Sequence, residues 1–422
     1  MNEHQMNISS DKQSKRPVLI IVLGALTALG PFSIDMYLPG FPAIARDLST
    51  TTSQVSLSLS SYFIGISAGQ LLYGPLMDRY GRKPPLYFGL VLYLLASIAC
   101  SMCSNIESLI TWRLVQAVGS CAAAVGAVVM VRDFFPVSES SRVFSLLVLV
   151  LGTSPMLAPT IGGYVTEGLG WQTIFIILAG LSVLLLMAVR YLLPDVYKAD
   201  PSYSLKPTPI LRNFRSVFSE QQFVTYAFAG AAAFAGLFVY VSGSPQVFME
   251  IFEIDGKVYG WIFAGLSVGF IGASQVSAAI LKYYTSEQIV YASLLCQAIT
   301  ALVFLVLSLN GLTNLYSTIG FIFIYLCCLG LVAPNTNAIA LAPFNKNAGS
   351  ASSLLGVFQM TLGALASTGV SLLHATDTTP MIMVMTIASV VALGILLFGR
   401  RTIKATAGKA LLQTGSPADP DK

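Results

Sequence analysis

Charge is scarce in this 422-residue chain: Asp, Glu, Lys and Arg make up only 10% of it, where a soluble domain carries about 25%, so no ordinary water-facing shell can be built from it. Histidine is nearly absent. His4 and His374 are the only two, which leaves a poor choice of base for serine or cysteine nucleophiles and few ligands for zinc. Neither a His-Glu-x-x-His run nor a Gly-x-x-x-x-Gly-Lys-Ser/Thr loop occurs, so zincin proteolysis and ATP-driven pumping lack their chemistry. The six cysteines, Cys100, Cys103, Cys121, Cys296, Cys327 and Cys328, fall in or beside apolar runs. Cys100 and Cys103 have the spacing of a metal or redox pair, but no second pair or nearby histidine completes one, so packing is expected, with no disulfide, metal or cofactor.

What the chain does have is length in its apolar runs. Hydrophobic residues make up 55% of it and the mean hydropathy is +0.75. The runs are continuous rather than alternating, and a helix crossing the hydrocarbon core needs about 20 such residues, so the spans are helical. Twelve are expected, near 18–38, 55–77, 86–104, 109–131, 143–165, 171–193, 223–248, 258–281, 287–309, 316–342, 350–374 and 380–398. The first run is too long for a signal-peptide core and has no small-residue cleavage site, so it is expected to be retained. The proline-bearing stretch 194–220 divides the spans six and six, with an amphipathic segment 210–218 suited to the interface. The chain therefore reads as a tail (1–16), a six-helix bundle (17–193), a linker (194–220), a second six-helix bundle (221–400) and a tail (401–422). With both termini cytoplasmic, all Lys and Arg except Arg46, Arg113 and Lys257 fall on the cytoplasmic side. The net charge of +4 is then topology and gives no reason to expect nucleic acid.

Gly74-Pro-Leu-Met-Asp78-Arg-Tyr-Gly81-Arg82-Lys-Pro84 fills the loop after the second span. Gly74 is read as letting two helices approach, Gly81 as a tight turn, and Asp78 as an acid in an otherwise basic loop. The stretch resembles the loop signature of the major facilitator superfamily. That resemblance implies that Asp78 caps the amino end of the eleventh helix near Ser350, that Arg82 pairs with Asp133, and that these contacts lock and release the cytoplasmic side. Arg113, Gln116 and Gly119 resemble the family's second motif, with Ala117 in place of a glycine. A guanidinium there costs at least ~2.5 kcal/mol on insertion scales, so it needs a partner. In the fifth span Gly152, Pro155, Pro159, Gly162 and Gly163 resemble the motif of the superfamily's antiporters, with Ala158 where that motif has glycine. Its prolines lie one turn apart and its glycines permit close packing, the makings of a bent helix that seals or hinges.

Asp35 and its neighbours Ser33, Pro39 and Pro42, together with Ser242 and Pro245 and the stretches 334–343 and 348–353, are similar to the bacterial Bcr/CflA branch of drug exporters. This resemblance implies export of small amphipathic drugs, chloramphenicol-like and bicyclomycin-like compounds among them, in exchange for protons. Asp35 is the one acid clearly inside a span, about 17 residues or ~25 Å along the first helix. It is the expected proton carrier, with Arg113 as its electrostatic opponent. Thr27 stands where some drug exporters have a second carboxylate, which argues against a preference for multivalent cations. Tyr62, Gln70, Tyr240, Gln275, Asn335, Asn337 and Gln359 are the polar points expected to touch substrate, each with an interhelical hydrogen bond as the alternative. The expected partners are the drug, protons and membrane lipid, and the expected form is a monomer in the inner membrane. A metabolite transporter of the same fold is the closest rival. An intramembrane serine protease, suggested by Gly65-Ile-Ser67 and Gly265-Leu-Ser267, is the remote one.

Overall fold

The computed structural model describes residues 3–194, 199, 214–344, 348–373 and 377–414, and every element among them is helical. Segment 210–213 of the expected amphipathic stretch lies outside these residues, as does His374. The spanning helices of the first half are α1 (Glu3–Asp35), α3 (Thr52–Tyr80), α4 (Lys83–Ser101), α5 (Ile106–Phe134), α6 (Val137–Leu169) and α7 (Gln172–Tyr191), with a short α2 (Phe41–Asp47) after α1. The second half has α8 (Gln221–Pro245), α9 (Gly256–Ile280), α10 (Ser286–Leu309), α11 (Leu315–Leu341), α12 (Ala348–Leu372) and α13 (Thr379–Thr414). These make two bundles of six. Eleven are long and apolar enough to cross a membrane among the described residues, and α6, at 33 residues, is the twelfth long helix. Large apolar side chains such as Leu95, Leu184, Val306 and Phe398 stand exposed on them, as lipid-facing positions must.

Helix ends follow local chemistry. The side chains of Thr51 and Asn105 accept from the backbone N–H of Gln54 and Ser108 at the starts of α3 and α5. Thr285 and Asn314 form capping boxes at α10 and α11. Gly81 ends α3 at φ +87°, a left-handed conformation that glycine adopts without strain. We call the end holding this turn the inner end and the opposite end the outer end. Pro17 and Pro31 are accommodated within α1, but α1 stops at Asp35. Pro39 has no N–H to extend the ladder and restricts the residue before it, so the chain passes through a 3-10 turn (Leu38–Gly40) into α2. Asp35 is thus the last residue of its helix rather than an interior one.

The chain divides into two compact units. The first comprises Met1–Leu205 with Val241–Val268 and Ser367–Asp377, so the outer ends of α8, α9 and α12 pack with the first six spanning helices. Small residues bring its helices close: a Cβ on Gly119 would stand 2.6 Å from the Tyr93 nitrogen and 2.7 Å from the Gly89 carbonyl oxygen, so α5 and α4 touch backbone to backbone. The second unit, Lys206–Tyr240 with Gly269–Ala366 and Thr378–Lys422, has a core of Phe223, Tyr226, Leu294, Leu329 and Leu396. In it Phe228 stacks on Phe358 at 4.6 Å.

Candidate functional site

At the inner end, Arg82 donates from Nε to Asp133 Oδ2 and from Nη1 to Asp78 Oδ1, both at 2.7 Å. Burial works against its charge, but hydrogen bonds to Asp133 and Asp78 outweigh it and hold the guanidinium above its ordinary range. Asp78 is therefore engaged within its own loop. The side chain of Ser350, its implied partner region, lies outside the described residues. Gly74 needs correction: among the described residues a Cβ there would meet nothing within 4 Å, so no close approach of helices among them requires the glycine.

Higher in the first unit, Arg113 is fully buried. Its Nη1 donates to Gln116 Oε1 at 2.6 Å, and Gln116 Nε2 donates to Ser97 Oγ at 2.7 Å. Its Nη2 donates to the Ser33 carbonyl at 3.0 Å. The last carbonyls of a helix have no partner within it, so Arg113 acts as a C-terminal cap on α1. The guanidinium also lies 4.2 Å from the Tyr62 ring centre, 4.7 Å from Tyr37 and 5.8 Å from Phe175. These rings offer the negative faces of their π systems to a cation removed from water. Ser33 in turn bonds Tyr93 at 2.5 Å, and Tyr37 bonds Ser58 at 2.9 Å. The expected opposition of Arg113 and Asp35 is corrected by this arrangement. No ion pair joins them among the described residues, because the guanidinium is taken up by a helix end, an amide and three rings.

Asp35 is buried and makes no ion pair or side-chain hydrogen bond among the described residues. It sits at a three-helix joint. A Cβ on Gly162 of α6 would stand 2.0 Å from the Met36 carbonyl oxygen, and one on Gly163 would stand 2.6 Å from the Gly256 carbonyl oxygen. Gly260 likewise lies against Thr160, and Gly256 faces Pro39. Pro155 and Pro159 stay inside a continuous α6, and Gly152 is half-buried. The antiporter-like stretch is thus wedged between the end of α1 and the start of α9. From the second half of the chain, Tyr259 and Ser244 bond each other at 2.8 Å, with Asp35 an electrostatic neighbour of Tyr259. The outer end is also stitched by Ser56 with Ser371 at 2.5 Å, Ser60 with Ser367 at 2.8 Å, and Lys257 Nζ with Glu167 Oε1 at 2.9 Å. Sequence reasoning named Ser33 only within a family resemblance, gave it no role, and singled out none of Tyr37, Tyr93, Ser244 and Tyr259. Their only signal was that a buried arginine and a buried acid require polar company.

The polar points expected to meet substrate divide. The Tyr62 hydroxyl donates to Ser120 at 2.9 Å, and Asn335 donates to Ser277 at 2.7 Å, so both serve helix packing. Gln359 and Asn337 are half-buried and bonded to each other at 3.2 Å. Gln275 is exposed, Tyr240 is buried, and Gln70 is half-buried with its amide oxygen unpartnered.

A bundle of apolar helices with a capped buried arginine, a buried acid and glycine-lined joints defines a multi-pass membrane transporter. The family model of the Major Facilitator Superfamily matches residues 23–368, and the chain belongs to that superfamily. It is 31% identical over 380 residues to YdgK of Bacillus subtilis (strain 168), named an uncharacterized MFS-type transporter, covering 89% of this chain and 94% of that protein. It is 28% identical to a bicyclomycin resistance protein homolog of Haemophilus influenzae, with 89% and 94% covered. It is 27% identical to a chloramphenicol resistance protein of Pseudomonas aeruginosa, with 96% of each covered. In fold it is similar to a bacterial homolog of the human lysosomal transporter Spinster, in an inward-facing, occupied crystal structure. The TM-score is 0.72 at 12% identity, over 92% of this chain and 97% of that one.

Proposed function

We propose that this transporter exports small amphipathic drugs in exchange for protons by alternating access, with Asp35 as the proton carrier, in the cytoplasmic membrane with both termini inside. The observation that carries the reading is Asp35 itself, a carboxyl buried at the α1–α6–α9 joint with no ion pair among the described residues. Such a group is free to change protonation as its surroundings open to water. In each cycle the inward-facing protein binds drug as Asp35 releases a proton. After the switch, outside protons displace the drug, so the proton gradient drives efflux. Arg113 supports this by fixing the end of the helix that bears Asp35. The Arg82–Asp133–Asp78 cluster serves as the inner gate, and Pro155, Pro159, Gly162 and Gly163 as the outer hinge. The relatives named for bicyclomycin and chloramphenicol resistance support the drug class.

A resistance panel on cells expressing the protein, repeated with a protonophore, tests the reading. Resistance to several unrelated amphipathic antibiotics that collapses with the gradient is the expected result. Unchanged resistance across the panel would point to a metabolite as cargo, and resistance that survives the protonophore would point to another energy source.

A further inference from the structure

The outer end of the first unit carries a cavity of about 660 Å³ that the transport cycle above does not use. One wall is α2 and its link to α3, including Arg46 and Thr50 to Ser53. The other is the Gln246–Ile251 turn and its link to α9, including Glu250 and Asp255. Three backbone irregularities converge here. Gln246–Ile251 is π-helical, a form used in short stretches and often at functional positions. Ser49 and Glu253, both at φ +51°, are the only non-glycine residues with positive φ among those described, and each lies in the link of one wall.

Two bonds join the walls: the Thr52 hydroxyl donates to Glu250, and the Ser53 hydroxyl donates to Gln246 Oε1 at 3.2 Å. Asp255 is occupied in accepting from the Lys257 backbone N–H at 3.1 Å. The Arg46 side chain lines the same cavity with no ion pair or hydrogen bond among the described residues. An acid held by a hydroxyl, with an unpaired guanidinium lining the same cavity, has two available partners.

We infer that Glu250 is the outer latch of the transport cycle, closed on Thr52 and exchanging that hydroxyl for Arg46 as the outer end opens. The π-helical turn supplies the slack. Relaxing it toward α-helical register rotates Glu250 about the helix axis and releases Thr52 without unwinding α8. The latch concerns gating alone and stands whether or not Asp35 carries the proton.

Nitroxides placed on the two walls, at Ala43→Cys and Glu253→Cys in a background with the native cysteines replaced by alanine, report their separation by double electron–electron resonance. The measurement needs neither drug nor proton gradient, so it fails or succeeds independently of the coupling at Asp35. Thr52→Val, which removes the closed-state partner and leaves the open-state one, should raise the long-distance population by about threefold, the shift that losing a part-exposed bond to a carboxylate allows. Arg46→Gln should lower it, and Thr52→Ser, which keeps the hydroxyl, should match the unmutated protein. A distribution unchanged in Thr52→Val would overturn the latch. An Arg46→Gln distribution equal to that of the unmutated protein would overturn the exchange of partners.

Discussion

Arg113 reaches across from α5 to donate to the main-chain carbonyl of Ser33, two residues before Asp35, at 3.0 Å. The contact is to backbone, so what it fixes is the position of the α1 end rather than the charge of the acid. Lysine keeps the charge but lacks the planar fork that serves Ser33 and Gln116 together and stacks on Tyr62. Arg113→Lys should therefore reduce drug exchange at least about tenfold and lower thermal stability by roughly 2–4 kcal/mol, as breaking a buried, hydrogen-bonded ion does. Transport assays and unfolding of the detergent-solubilised protein check it. A Lys variant equal to the unmutated protein would show that charge alone matters.

The joint at α6 makes a steric prediction. A methyl group on Gly162 would meet the Met36 carbonyl at 2.0 Å, whereas one on Gly168 in the same helix would meet nothing within 4 Å among the described residues. Gly162→Ala should destabilise by about 1–3 kcal/mol through overpacking and impair transport, while Gly168→Ala stays within about 0.5 kcal/mol. Paired melting curves separate the two.

At the inner end, Arg82→Gln removes both bonds to Asp78 and Asp133. Both acids retain some exposure, so water compensates in part and the loss should be about 1 kcal/mol. The Arg82 pKa is raised in the folded protein. Its contribution is therefore complete below the unfolded value, itself far above neutrality, and is lost only as pH rises through the still higher folded value. The stability gap between the arginine and glutamine proteins should thus show no change attributable to arginine titration between about pH 6 and 9. Melting curves across that window test it.

Much of this is legible in the sequence because the membrane makes charge and glycine informative. Arg82 and Asp133 are few-choice partners at the end of a span, and the glycines of α6 announce close packing before the neighbour is known. What they pack against is not legible. Met36 and Gly256 contribute backbone atoms, and backbone leaves no mark in residue type. Arg113 misleads for a related reason: a buried cation suggests an acid, whereas a helix-end carbonyl and aromatic faces serve it as well. Thr52 and Glu250 are ordinary loop residues until the fold brings together positions 198 residues apart. Gly74 shows the reverse error, a glycine read as a contact where no described residue comes within 4 Å.

Coupling rests on Asp35, and proton movement measures it most directly. In proteoliposomes with an internal pH dye, an imposed chloramphenicol gradient should move protons in the opposite direction through the unmutated protein. Asp35→Asn should show no drug-evoked pH change while still exchanging labelled for unlabelled chloramphenicol at a comparable rate. A drug-evoked proton flux of undiminished size in Asp35→Asn would contradict the assignment and place the coupling on another group.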